Sequence, residues 1–149
     1  FKYASLGFID WLPNENAYLI KSKDQILKVT VPNLDTTVFL AKTDFEIVGK
    51  NVLQSKNSEK AAPWVQTVYQ NWEELIKSST FWLSNDGSKI LFASEKNKIL
   101  RRSFSATYFY MNLKTKEIFP LSNDNSQIRN AKFSPDSKKI AYVRQDNTL

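Results

Sequence analysis

Phe81-Trp82-Leu83-Ser84-Asn85-Asp86-Gly87-Ser88-Lys89-Ile90-Leu91-Phe92 and Ala131-Lys132-Phe133-Ser134-Pro135-Asp136-Ser137-Lys138-Lys139-Ile140-Ala141-Tyr142 line up at a spacing of 50 residues. A weaker third copy runs Trp11-Leu12-Pro13-Asn14-Glu15-Asn16-Ala17-Tyr18-Leu19-Ile20. Each copy reads as an apolar strand end, a polar tight turn and a short apolar strand. Proline presets φ at the second turn position, and Asp or Asn tolerates the left-handed region, so each copy is expected to be a β-hairpin. Self-similarity at a period of about 40 to 50 residues signals propeller blades.

A further strand pair follows each of the two earlier copies. Ile26 to Val31, a turn at Pro32-Asn33-Leu34-Asp35 and Thr37 to Leu40 make one. Thr107 to Leu113, a turn at Lys114-Thr115-Lys116-Glu117 and Ile118 to Leu121 make the other. In the latter, Tyr108, Tyr110 and Asn112 alternate with Phe109, Met111 and Leu113, as in a sheet packed on both faces. Four strands therefore repeat, which is what a propeller blade requires. The expected fold is all-β: a partial β-propeller of about two and a half four-stranded antiparallel blades, at 3–41, 78–122 and, incomplete, 127–149. Such a set cannot close into a ring, so the chain is expected to be part of one larger N-terminal propeller domain whose other blades cover its open edges and face.

Residues 43–77 differ in character. Asn51 to Ala62 is polar and lysine-bearing; Pro63 then precedes Trp64, Val65, Val68, Tyr69, Trp72, Leu75 and Ile76 at helical spacing. Proline near the first helical position and the apolar stripe predict an inserted amphipathic helix. Packing against a blade edge and docking of a second domain or subunit both fit two tryptophans on one helix.

The chain has 149 residues, opens at Phe1 and has one methionine, Met111, so it is expected to be the interior of a longer polypeptide. It has no histidine and no cysteine. A Ser-His-Asp triad, imidazole or thiolate metal ligation and a thiol nucleophile are thereby excluded from these residues, and no cofactor is expected. With 42% hydrophobic and 13% aromatic residues the chain can bury a core, while no apolar run approaches the ~18 residues of a membrane span. Residues 1–75 carry 8 lysines and arginines against 9 acids, and residues 76–149 carry 13 against 6. In the second half Lys96, Lys98, Arg101 and Arg102 form a basic cluster, which reads either as a solvated loop or as an anion- or carbonyl-binding cluster. Nucleic acid is not an expected partner, because Phe92, Tyr108, Tyr110 and Tyr142 fall on positions the blade needs for its core. Asp86 and Asp136 are turn residues rather than a catalytic carboxylate pair.

The run Trp11-Leu12 through Ala17-Tyr18-Leu19, Lys21, Gln25-Ile26-Leu27 and Val38-Phe39-Leu40 resembles the start of the propeller in dipeptidyl peptidase IV-like serine peptidases. The second blade is closer still: Ser84-Asn85-Asp86-Gly87, Ile90-Leu91 and Arg101-Arg102-Ser103-Phe104-Ser105-Ala106-Thr107-Tyr108 are similar to that family's Ser-Pro-Asp-Gly turn followed by its arginine, small polar and tyrosine segment. Ala131 to Val143 resembles the next blade. The resemblance covers nearly all of the chain outside 43–77. The arginine segment is its discriminating part, since Ser-Pro-Asp-Gly turns occur in many propellers.

The resemblance implies an extracytoplasmic parent, periplasmic, secreted or membrane-anchored. It also implies an N-terminal propeller followed by an α/β-hydrolase domain that carries the Ser, Asp and His. The parent would be a serine-type dipeptidyl peptidase acting on peptides with free N-termini, and homodimerisation stays open. The family's substrate-amine-binding glutamate pair has no match here; Glu73-Glu74 sits in a different context. Arg101 aligns with the family's cavity arginine, which donates to a backbone carbonyl of the bound peptide, a task suited to a planar guanidinium. Arg102 is the match if the alignment slips by one. Lys96 and Lys98 depart from the family pattern, so the loop around the arginine is expected to differ in shape. The alternative is a non-catalytic propeller scaffold, since fold does not settle function.

Overall fold

Short apolar runs punctuated by Asn, Asp, Ser and Pro build a structure of antiparallel strands joined by tight turns. The structure, a computed structural model, describes residues 9–22, 25–41, 43–44, 80–101, 103–122 and 126–144. Its strands are β1 Ile9–Trp11, β2 Ala17–Ser22, β3 Gln25–Thr30, β4 Asp35–Leu40, β5 Thr80–Leu83, β6 Lys89–Leu100, β7 Ser103–Asn112, β8 Ile118–Pro120, β9 Ile128–Phe133 and β10 Ile140–Arg144. The helix expected within 43–77 lies outside the described residues apart from Thr43 and Asp44. At that point the Asp44 carboxylate accepts the Ala41 N–H at 2.8 Å.

β1 to β4 form a four-stranded antiparallel meander. β5, β6, β7 and β8 form a second one in the same order. β9 and β10 form a hairpin, and β9 meets the second sheet through the single pair Ala106↔Ile128 on β7. This is the all-β, open set of antiparallel sheets read from the repeats.

The second sheet is buried on both faces because its strands are apolar at successive positions. Along β6, Ile90 and Phe92 enter a core shared with Leu19, Ile26 and Leu40 of the first sheet. Leu91 and Ala93, one residue out of phase, enter a second core with Ile128 and Ala131 of β9. Phe92 is fully buried and stacks on its register partner Phe109 with centroids 5.3 Å apart. Burial of such a side chain contributes roughly 1.5–3 kcal/mol, and the aromatic pair adds about 0.5–1.5 kcal/mol. Tyr108 is buried, stacked on Trp82 at 6.4 Å, and Tyr110 and Tyr142 pack against the second core. These rings fill the spaces between sheets.

At one end the repeated turns touch one another. A Cβ on Gly87 would come within 3.2 Å of Pro13 Cγ, so the second turn sits directly on the first. The Asn85 amide donates to the Pro135 carbonyl at 3.1 Å, and the Asp86 N–H donates to Ser137 Oγ at 3.0 Å, joining second turn to third. Within each of these two turns the serine closes the loop: Lys89 N–H donates to Ser84 Oγ and Lys139 N–H to Ser134 Oγ, both at 3.0 Å.

Candidate functional site

The opposite end of the second sheet carries Arg101. β6 and β7 stay paired from Lys89↔Asn112 to Leu100↔Ser103, with register shifts between Ser94 and Asn97 and between Lys98 and Leu100. β6 thus runs 12 residues, well past the apolar run that ends at Ala93. The expected loop around Arg101 is instead the end of a long ribbon, whose last pair is Leu100↔Ser103. Bulges let the ribbon continue where the sequence period breaks down, which hid it from a pattern reading.

Arg101 is exposed at the tip and has no ion-pair partner among the described residues. Arg102 lies outside the described residues, as do Glu73 and Glu74. Beside the turn, Leu100 and Ile99 are 70% and 44% exposed. Two apolar side chains and a guanidinium thus lie exposed together at the tip.

The lysines below the tip are held in place. Lys96 donates to Thr80 Oγ1 and lies 5.7 Å from the centroid of the Phe104 ring. Burial lowers its pKa. Lys21, from the first sheet, lies 6.0 Å from the Phe81 centroid. Its pKa is lowered by burial and then by the charge of Lys96, so lysines from two adjacent sheets face each other at this end. Lys98 is exposed. These lysines make the local potential at this end positive.

The ribbon is also tied to the third hairpin. Gln127, just ahead of β9, accepts hydrogen bonds through Oε1 from Asn97 Nδ2 at 3.1 Å and from Ser105 Oγ at 2.9 Å. Asn97 and Ser105 are register partners on β6 and β7. Sequence reading reached Ser105 through the arginine segment but missed Gln127 and Asn97, because no local pattern links side chains 22 and 30 positions apart.

Other chemistry is sparse. Among the described residues no group of three or more acids is placed to hold a metal ion, and no helix is long and apolar enough to cross a membrane. A cleft of about 220 Å³ is bordered by Tyr110, Leu121, Phe133, Ile140 and Tyr142. Those side chains belong to the second core cluster, so the cleft is its open flank.

Residues 84–148 match the family described as the dipeptidyl peptidase IV (DPP IV) N-terminal region. A probable dipeptidyl peptidase 4 of Arthroderma benhamiae is 37% identical over 135 residues, 85% of this chain and 17% of the relative. A probable dipeptidyl-aminopeptidase B of Metarhizium robertsii is 28% identical over 127 residues, 82% of this chain and 14% of the relative. The crystal structure of Porphyromonas gingivalis dipeptidyl peptidase 4 shares the fold with a TM-score of 0.62 at 17% identity, over 91% of this chain and 16% of that one. The chain therefore spans about a sixth of the length of the proteins it matches. The resemblance first read from the turns and the arginine segment is borne out.

Proposed function

From its place in the N-terminal region of the dipeptidyl peptidase IV family, we propose that this chain is the propeller portion of a serine exopeptidase releasing di- or tripeptides from free N-termini. Arg101 binds a backbone carbonyl of the peptide, and the propeller gates access to a hydrolase domain of the same polypeptide, where acyl transfer takes place. The parent is extracytoplasmic. The observation that carries this reading is the ribbon tip. It puts an exposed guanidinium, without an ion-pair partner among the described residues, at the family's arginine segment on the end of a paired support. Its fork donates to an acceptor in fixed geometry, and a hydrogen bond from a charged donor is worth about 1.5–3 kcal/mol.

The test is release of a chromogenic leaving group from a free-N-terminus Xaa-Pro substrate by the full-length polypeptide. Arg101→Ala is expected to lower kcat/KM by about 10- to 100-fold, and N-acetylated substrate is expected to be inert. A folded full-length protein that cleaves nothing makes the propeller a scaffold. Cleavage unaffected by Arg101→Ala removes the arginine's role.

A further inference from the structure

A β-ribbon extending beyond its sheet is a lever. Its tip points wherever its base is held, and the base here has a specific holder. Past Asn97↔Ser105, only the pairs Lys98↔Phe104 and Leu100↔Ser103 remain before the turn. The two register shifts lie on either side of Asn97 and Lys98. Bulges bend a strand and increase its twist, so this is where the direction of the tip is decided. Gln127 reaches this point from outside the ribbon and accepts from both strands at once. One acceptor atom, fixed by two donors, thus clamps β6 to β7 and both to the third hairpin, which itself joins β7 at Ala106↔Ile128.

We propose that Gln127 is a positioning residue: the bracket Asn97–Gln127–Ser105 sets the direction in which the ribbon presents Arg101 to the peptide carbonyl. This rests on the carbonyl-binding reading of Arg101. Gln127 touches no substrate and acts through the arginine, and in the bracket its Oε1 serves as the acceptor for both strands. A carboxylate at this position can accept the same two hydrogen bonds, whereas a thioether of similar length is only a weak acceptor. Losing the bracket weakens a contact made equally by bound substrate and transition state, so KM rises and kcat stays.

The experiment uses the full-length polypeptide and the same Xaa-Pro substrate. Gln127→Met is expected to raise KM by several-fold, roughly 2- to 100-fold for residues coupled through one network, with kcat unchanged. Gln127→Glu is expected to keep the wild-type KM. In an Arg101→Ala background, Gln127→Met is expected to add nothing. Should Gln127→Met fail to fold, Asn97→Ala removes one leg of the bracket at an exposed residue and is expected to shift KM in the same direction, again only while Arg101 is present. Equal losses with and without Arg101, a fall in kcat alone, or no change in KM overturns the positioning role while leaving the arginine's role intact. A silent Arg101→Ala overturns the carbonyl-binding reading and this inference with it.

Discussion

Ser137 occupies in the third turn the position Gly87 occupies in the second, and both are left-handed, at φ +58° and +69°. Glycine adopts that conformation without a Cβ clash, and Gly87 is also pressed against Pro13, so two demands meet at one residue. Serine pays about 1–2 kcal/mol for the same backbone. Its buried hydroxyl accepts the Asp86 N–H, which helps offset that cost. The neighbouring aspartates have a different task. Hydrogen bonds from Ser84, then from the Ser88 backbone and hydroxyl, hold the Asp86 carboxyl well below the usual carboxylate range; Ser134 and the Lys138 N–H lower Asp136 likewise. Both folded pKa values lie below the unfolded one of about 3.9. Their stabilisation is therefore fully present above that pH and is lost as pH falls below it, where the unfolded chain takes up protons first. Urea midpoints measured between pH 7 and pH 2 should fall on the acid side, and the fall should be shallower in Asp86→Asn/Asp136→Asn. An identical acid limb in wild type and variant would show that these carboxyls do not govern it.

Strands packed on two faces leave little for polar groups to do, so the polar contacts that do cross between sheets are informative. Asp10 on β1 accepts the Leu83 N–H of β5 at 3.0 Å. Burial raises its pKa, opposed by the hydrogen bonds from Leu83 and Trp11. A raised carboxyl pKa means that ionisation costs stability as pH rises through the carboxylate range. Asp10→Ala removes the acceptor and is expected to cost about 1–3 kcal/mol, the penalty for leaving an N–H unmatched. Asp10→Asn keeps an acceptor without the charge and is expected to match or exceed wild type at pH 7. Denaturant unfolding of the two variants checks both, and equal losses would mean that the charge, not the acceptor, matters. The four-strand repeat itself was legible, because apolar runs bounded by Ser, Asn and Asp turns recur along β5 to β8. The outer half of β6 was not, since residues 94–98 are polar and its pairing depends on bulges.

The two cores join the first sheet, the second sheet and the third hairpin in series, and the far face of the first sheet carries apolar residues of which only those on its outer strands are exposed. Val38 pairs with Leu27 and Leu27 with Ile20, while Tyr18 lies between Trp11 and Val29. Trp11 and Val38 are 61% and 57% exposed. Large apolar side chains exposed on the outer strands of an open sheet favour association in water. The 149-residue chain alone is expected to self-associate in sedimentation velocity at micromolar concentration, and Trp11→Lys/Val38→Lys to shift it toward monomer. A wild-type monomer at high concentration would sink that expectation.

Strand order, turn positions and the burial of Phe92 and Tyr108 followed from the amino-acid order, because apolar runs between recurring polar turns place them, and the place of Arg101 came from the resemblance to the family's segment. The projection of the ribbon, the seating of Gly87 on Pro13 and the bracket at Gln127 followed from folding alone. They depend on side chains tens of residues apart meeting across sheets, and hydrogen bonds of that kind leave no periodic trace in a sequence.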